Sequence, residues 1–192
     1  MVLSSRSFAV TSAPGPDAPF GLLLADPGEV LVVGLGNPIL GDDGVGWQVV
    51  DELARIERPP VGLQQACVGG VGLMELMIGY RRAIVVDAII DPGAAPGSVW
   101  RRPLSAVETR VASHLDSSHD ATLSAALAAG RAVGADLPSE IEVVGIVVER
   151  GDIFSQRLSN AVAAAVPVAA AEVMTALGMP PQPSAGREPA HA

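Results

Sequence analysis

The chain has 192 residues, a formal net charge of −9 and a sequence pI near 4.7, with no lysine and a single cysteine, Cys67. That balance argues against a nucleic-acid partner, because affinity for phosphates is built from basic side chains. One cysteine excludes an internal disulfide and fits a reducing compartment.

Residues 1–28, rich in Ser, Pro, Ala and Gly, show no lasting period and are expected to be a flexible leader, with Gly21 to Leu24 touching the body. Met1 to Val10 contain Arg6 but no apolar segment of signal-peptide length. A single folded domain is expected over 29–178, and a disordered tail over 179–192.

Hydrophobic residues make up 49% of the chain and aromatics 3%, so the core has to be aliphatic. Runs such as Val30-Leu31-Val32-Val33 and Ile84-Val85-Val86 have the character of strands buried on both faces, as in a parallel sheet covered by helices. The first strand is expected at 29–35. A helix follows at 44–57, where Val45, Val49 and Leu53 recur every four positions until Pro59-Pro60. A second strand is expected at 63–68, ending on a buried Cys67, then a short helix from Leu73 to Ile78 and a third strand at 82–89. After turn signals at Asp91-Pro92-Gly93 and Pro96-Gly97, Ser98 to Arg102 form an edge strand. A helix is expected over 119–133, capped by Ser117 or Ser118, then a central strand at 141–148 and a last helix at 160–177, with Ser159 as N-cap and Gly178 past its end. Pro167 and Glu172 mark that helix as buried in a protein rather than in a membrane. The alternation predicts a doubly wound, three-layer α/β/α sandwich around a mostly parallel, roughly five-stranded sheet of the phosphorylase/hydrolase-like kind.

The densest signal is Gly34-Leu35-Gly36-Asn37-Pro38-Ile39-Leu40-Gly41-Asp42-Asp43-Gly44-Val45-Gly46, between the first strand and the first helix. A phosphate loop is one reading of such a glycine-rich turn. Pro38 and Ile39 fit it poorly, and two adjacent carboxylates would face the phosphate. One of Asp42 and Asp43 can serve as helix N-cap, which leaves the other for the crevice above the strand ends. Asp87 closes an apolar strand and His119 precedes a helix, so a parallel sheet would bring Asp43, Asp87 and His119 to one edge. Two carboxylates and an imidazole suit a divalent ion such as nickel or zinc, and equally suit acid–base work without metal. His114 and His191 are expected at the surface.

These segments resemble the nickel–iron hydrogenase maturation endopeptidases. The resemblance rests on Val33-Gly34-Leu35-Gly36-Asn37 through Asp42-Asp43-Gly44-Val45-Gly46, on Val85-Val86-Asp87-Ala88, on Ser117-Ser118-His119-Asp120, and on Val144-Gly145-Ile146 with Leu158-Ser159. It implies a cytoplasmic endopeptidase that removes the C-terminal extension of a hydrogenase large-subunit precursor once nickel is inserted. It assigns Asp43, Asp87 and His119 as catalytic and metal-contacting residues, with Asn37, Asp42, Gly69 and Gly70 in the substrate loop. The implied metal is nickel carried by the substrate, with another divalent metal open for the isolated protein. The implied assembly is a monomer or weak dimer with no membrane and no nucleic-acid partner. The segment from Cys67 to Glu75 departs from the Asp-Gly-Gly-Thr pattern of many members, with Val68 and Val71 in the Asp and Thr positions.

Three other readings compete. A peptidyl-tRNA hydrolase relative would share Gly34 to Pro38 but needs a basic groove. A dinucleotide-binding module needs an acid closing the second strand, where this chain has Ala66-Cys67-Val68. A metal-binding assembly chaperone would use the same acids and cut nothing. No Gly-x-Ser-x-Gly elbow is present for a serine hydrolase, and Cys67 is expected to be a small core hydrophobe rather than a nucleophile.

Overall fold

The computed structural model describes residues 30–55, 61–107, 122–149 and 154–179. The expected leader, the expected tail beyond Met179, all three histidines (His114, His119 and His191), and Ser117 and Ser118 lie outside the described residues.

Among the described residues five strands form one sheet in the order β2-β1-β3-β5-β4, with β1 at Val30–Leu35, β2 at Val61–Ala66, β3 at Arg82–Ile89, β4 at Val99–Pro103 and β5 at Glu140–Val147. All neighbours pair in parallel except β4, which runs antiparallel on the outer edge of β5. Four α-helices among the described residues cover it: α1 at Val45–Ala54, α2 at Gly70–Leu76, α3 at Leu123–Ala132 and α4 at Asn160–Ala176. Side chains alternate across a strand, so β1 and β3 feed two cores. Val32, Ile84 and Val86 meet Val45, Val49 and Leu53 of α1 and Ala169 and Val173 of α4. Leu31, Val33, Leu35 and Val85 meet Leu73 of α2 and Leu123 and Leu127 of α3. This is the three-layer α/β/α sandwich expected from the alternation.

Most elements lie where the pattern put them, with β3 matching residue for residue. The second strand is a correction: it spans 61–66, not 63–68, so Cys67 stands beyond it and is exposed rather than buried in the core. Val61 and Gly62 open it, and pairing with β1 ends at Ala66. Gln65 turns outward, where Nε2 donates to the Trp47 carbonyl and, at 2.7 Å, to Asp51 Oδ1. The first helix is preceded by a 3₁₀ turn over Gly41–Gly44. The third helix starts at Leu123 instead of 119, with Thr122 as its N-cap accepting from the Ala125 amide. Ser159 caps α4 as expected, and Gly178 follows it at φ +72°. Pro167 sits on the exposed side of α4. No helix among the described residues is long and apolar enough to cross a membrane.

Candidate active site

The loop after β1 is tightly built. Gly36 has φ +125°, a region that L side chains rarely adopt, and a Cβ there would overlap the Asp43 carbonyl oxygen. Asn37 Oδ1 accepts from the Ile39 amide at 3.2 Å, an Asx turn that holds the bend. The Asn37 amide donates to Asp43 Oδ2 at 2.6 Å, so the carboxylate reaches back and closes the loop. Asp42 points elsewhere: its Oδ1 accepts from the Ser159 amide at 2.6 Å and ties the loop to the start of α4. The expectation that one of these acids caps its own helix is therefore corrected. The N-cap positions are Leu40 for the 3₁₀ turn and Gly44 for α1, and neither makes a side-chain cap bond. Both carboxylates act on backbone amides outside their own helix.

Asp43 and Asp87 are both buried, at 5% and 0% exposure. The register of β1 and β3 pairs Gly34 with Val86, so Asp87 stands one step further along β3, level with the last residue of β1. The 3₁₀ turn carrying Asp43 contacts β3, and a Cβ on Gly46 would approach the Val86 carbonyl at 2.6 Å. Two acids distant in sequence thus occupy the same edge of one pair of neighbouring strands. Across β3, Asp87 pairs with Gly145, whose missing side chain leaves room for the Trp100 ring. Asp43 and Asp87 both make interactions within the protein.

Carboxylates held in so little water favour a paired cation. Among the described residues no three His, Cys, Asp or Glu side chains gather as a metal site. His119 lies outside them, three positions before Thr122, the first described residue of its segment. Gly69 is the N-cap residue of α2, and Gly70 opens that helix at φ +50°. Both follow β2 at the same sheet edge, and Val68 and Val71 beside them are exposed.

Cys67 stands between β2 and this loop. The Ala66 carbonyl just before it accepts from the Gly36 amide and from Trp47 Nε1. Partial desolvation of the thiol, followed by the negative charge of Asp43, pushes the Cys67 pKa up from its ordinary value. The thiol stays protonated at neutral pH, the opposite of what a nucleophile requires. Cys67→Ala is expected to retain processing activity within about twofold, since the thiolate fraction controls cysteine nucleophilicity and little thiolate is present here. Complete loss of precursor cleavage by that variant would restore the thiol mechanism.

Sequence reading missed the second strap on the loop. Leu40 and Ser155 form an isolated parallel bridge, with the Gly41 amide donating to the Ser155 carbonyl at 2.7 Å. Only backbone atoms make it, so no residue type signals it.

Comparisons with known proteins bear on the family and the fold. The profile of the family described as hydrogenase maturation protease matches residues 47–176. The hydrogenase 2 maturation protease of Escherichia coli K12 is 28% identical over 123 residues, covering 63% of this chain and 74% of that protein. The hydrogenase expression/formation protein HupD of Rhodobacter capsulatus is 26% identical over 152 residues, covering 79% and 72%. A relative from Methanocaldococcus jannaschii is 36% identical over 75 residues, a stretch that spans about half of that protein (47%) and 37% of this chain. Among solved structures, the hydrogenase maturating endopeptidase HybD from E. coli superposes with a TM-score of 0.64 at 27% identity, covering 78% of this chain and 92% of the other. With its profile spanning most of the folded body and its fold shared with solved members, the chain belongs to the hydrogenase maturation protease family.

Proposed function

We propose that this protein is the endopeptidase that trims the C-terminal extension from a nickel-loaded hydrogenase large-subunit precursor, acting in the cytoplasm. The observation that carries the reading is the pair of buried acids, Asp43 and Asp87, at one sheet edge in a chain of this family. In this reading the nickel arrives with the substrate. Asp43, Asp87 and His119 grip the ion, and the scissile peptide is presented beside it. A cation next to the peptide carbonyl, or next to a water, favours attack at the carbonyl carbon. Hydrolysis adds the water's hydroxyl to that carbon, and its proton goes to the departing amine. Asn37 and Asp42 shape the substrate loop from within, since each directs a side-chain oxygen to a backbone amide of the protein itself. Gly70 opens the neighbouring helix at φ +50°, a conformation that glycine adopts without strain.

The test is to mix the full chain with large-subunit precursors from the same genome, with and without nickel, and weigh the products. A mass loss equal to one C-terminal peptide, only in the nickel-loaded sample, is expected. His119→Ala is expected to stop the cleavage without shifting the melting temperature. Binding with no change in mass would identify an assembly chaperone instead, and cleavage of nickel-free precursor would remove the metal from the mechanism.

A further inference from the structure

The described residues expose eight large hydrophobic side chains, and five of them, Ile39, Val68, Val71, Ile90 and Phe154, follow the carboxyl ends of the parallel strands. The remaining three, Ile78, Val133 and Val168, are scattered elsewhere. Single exposed hydrophobes need no explanation, but a set confined to the edge that carries Asp43 does. Two of them are held in a fixed relation. The Leu40–Ser155 bridge is parallel, with the Ser155 amide donating to the Ile39 carbonyl at 3.0 Å. Parallel register places Ile39 level with Phe154, and alternation sends both side chains away from the side taken by Leu40 and Ser155. Ile39 is 48% exposed and Phe154 82%. The same loop is pinned at Asp42 by Ser159 and at Asn37 by Asp43.

We propose that Ile39 and Phe154 form an apolar step that docks an uncharged, apolar stretch of the precursor polypeptide next to the scissile bond, making them specificity-determining residues. This rests on the proposed endopeptidase reading. The occupant follows from continuity: Ile39 belongs to the loop that Asp43 closes, so a substrate bond brought to Asp43 carries its flanking residues across this step. Burying a side chain such as Leu or Phe on binding removes apolar surface from water and so contributes to affinity. Pinning by backbone bonds and by Asp42 means that little ordering is lost when the partner arrives. The acids are not part of the step, so its loss weakens capture while leaving the chemistry in place.

The experiment compares the wild-type chain with Ile39→Ala/Phe154→Ala and with Ile78→Ala/Val133→Ala as the distant control. Binding of the nickel-loaded large-subunit precursor is measured by biolayer interferometry, cleavage by mass spectrometry, and self-association by sedimentation velocity. The expected result is a rise of at least tenfold in Kd and KM for the first double variant, with kcat within twofold and the control unchanged. Unchanged Kd and KM, or a fall in kcat alone, would overturn the step. A wild-type dimer that the first variant breaks into monomers would overturn it too, by assigning the patch to a second copy of this chain. A wild-type chain that binds the precursor but never cuts it would sink the endopeptidase reading, while the binding arm still decides the step.

Discussion

Asp43→Asn is expected to lower precursor processing by about 10²-fold or more, the usual loss when a group that handles protons or a cation in the transition state is neutralised. The substitution separates two roles of one side chain. Asparagine keeps an oxygen that can accept the Asn37 amide, so the loop closure seen at Asp43 Oδ2 survives. What disappears is the negative charge in a site only 5% exposed, where a charge acts far more strongly than in water. The fold should be unharmed, because a neutral amide is easier to bury than a carboxylate. Asp43→Glu retains the charge and is expected to recover part of the rate, whereas Asp43→Ala loses both the charge and the loop anchor. Rates from product mass and melting curves on the same samples check the set. Normal tail removal by Asp43→Asn would refute the assignment of this acid.

The sandwich was legible because its signals are local. The apolar run Ala83-Ile84-Val85-Val86 of β3 and the Ser159 and Gly178 caps of α4 locate those elements to within a residue. The second strand was expected two residues late because the apolar Cys67-Val68 pair extends the local run, whereas parallel pairing with β1 runs from Val61 to Ala66. The acids were legible as a set but not in their partners. Asp42 reaches Ser159, 117 positions away, and nothing in either neighbourhood encodes that meeting. The local capping rule pointed to a helix N-terminus, and the chain uses both carboxylates to bind its loop instead. Cys67 shows the same limit: its burial depended on where β2 stops, a boundary that tertiary pairing decides.

Gly46→Ala is expected to destabilise the protein by about 3 kcal/mol or more, at the upper end of overpacking costs. Two effects oppose each other. Alanine is the better helix former, which favours the substitution by about 1 kcal/mol inside α1. Against it, a Cβ at Gly46 would lie 2.3 Å from the Leu35 carbonyl oxygen and 2.6 Å from that of Val86. Both are backbone atoms of β1 and β3, and neither can swing away as a side chain would. Relief requires α1 to lift off the two strands, and α1 is continuous with the turn that carries Asp43. Gly34 enforces the same closeness from the strand side, since a Cβ there would lie 2.1 Å from the Gly46 carbonyl oxygen. Gly130→Ala in α3 makes the contrast, because its added methyl would meet only the ends of Leu137 and Met74, which can move. For a domain of this size each kcal/mol lowers the melting temperature by about 2–4 °C, so a loss of about 6–12 °C is expected for Gly46→Ala and little change for Gly130→Ala. A Gly46→Ala protein as stable as wild type would mean that α1 does not sit this close to the strands. The geometry that carries Asp43 to the edge occupied by Asp87 would then be wrong as well.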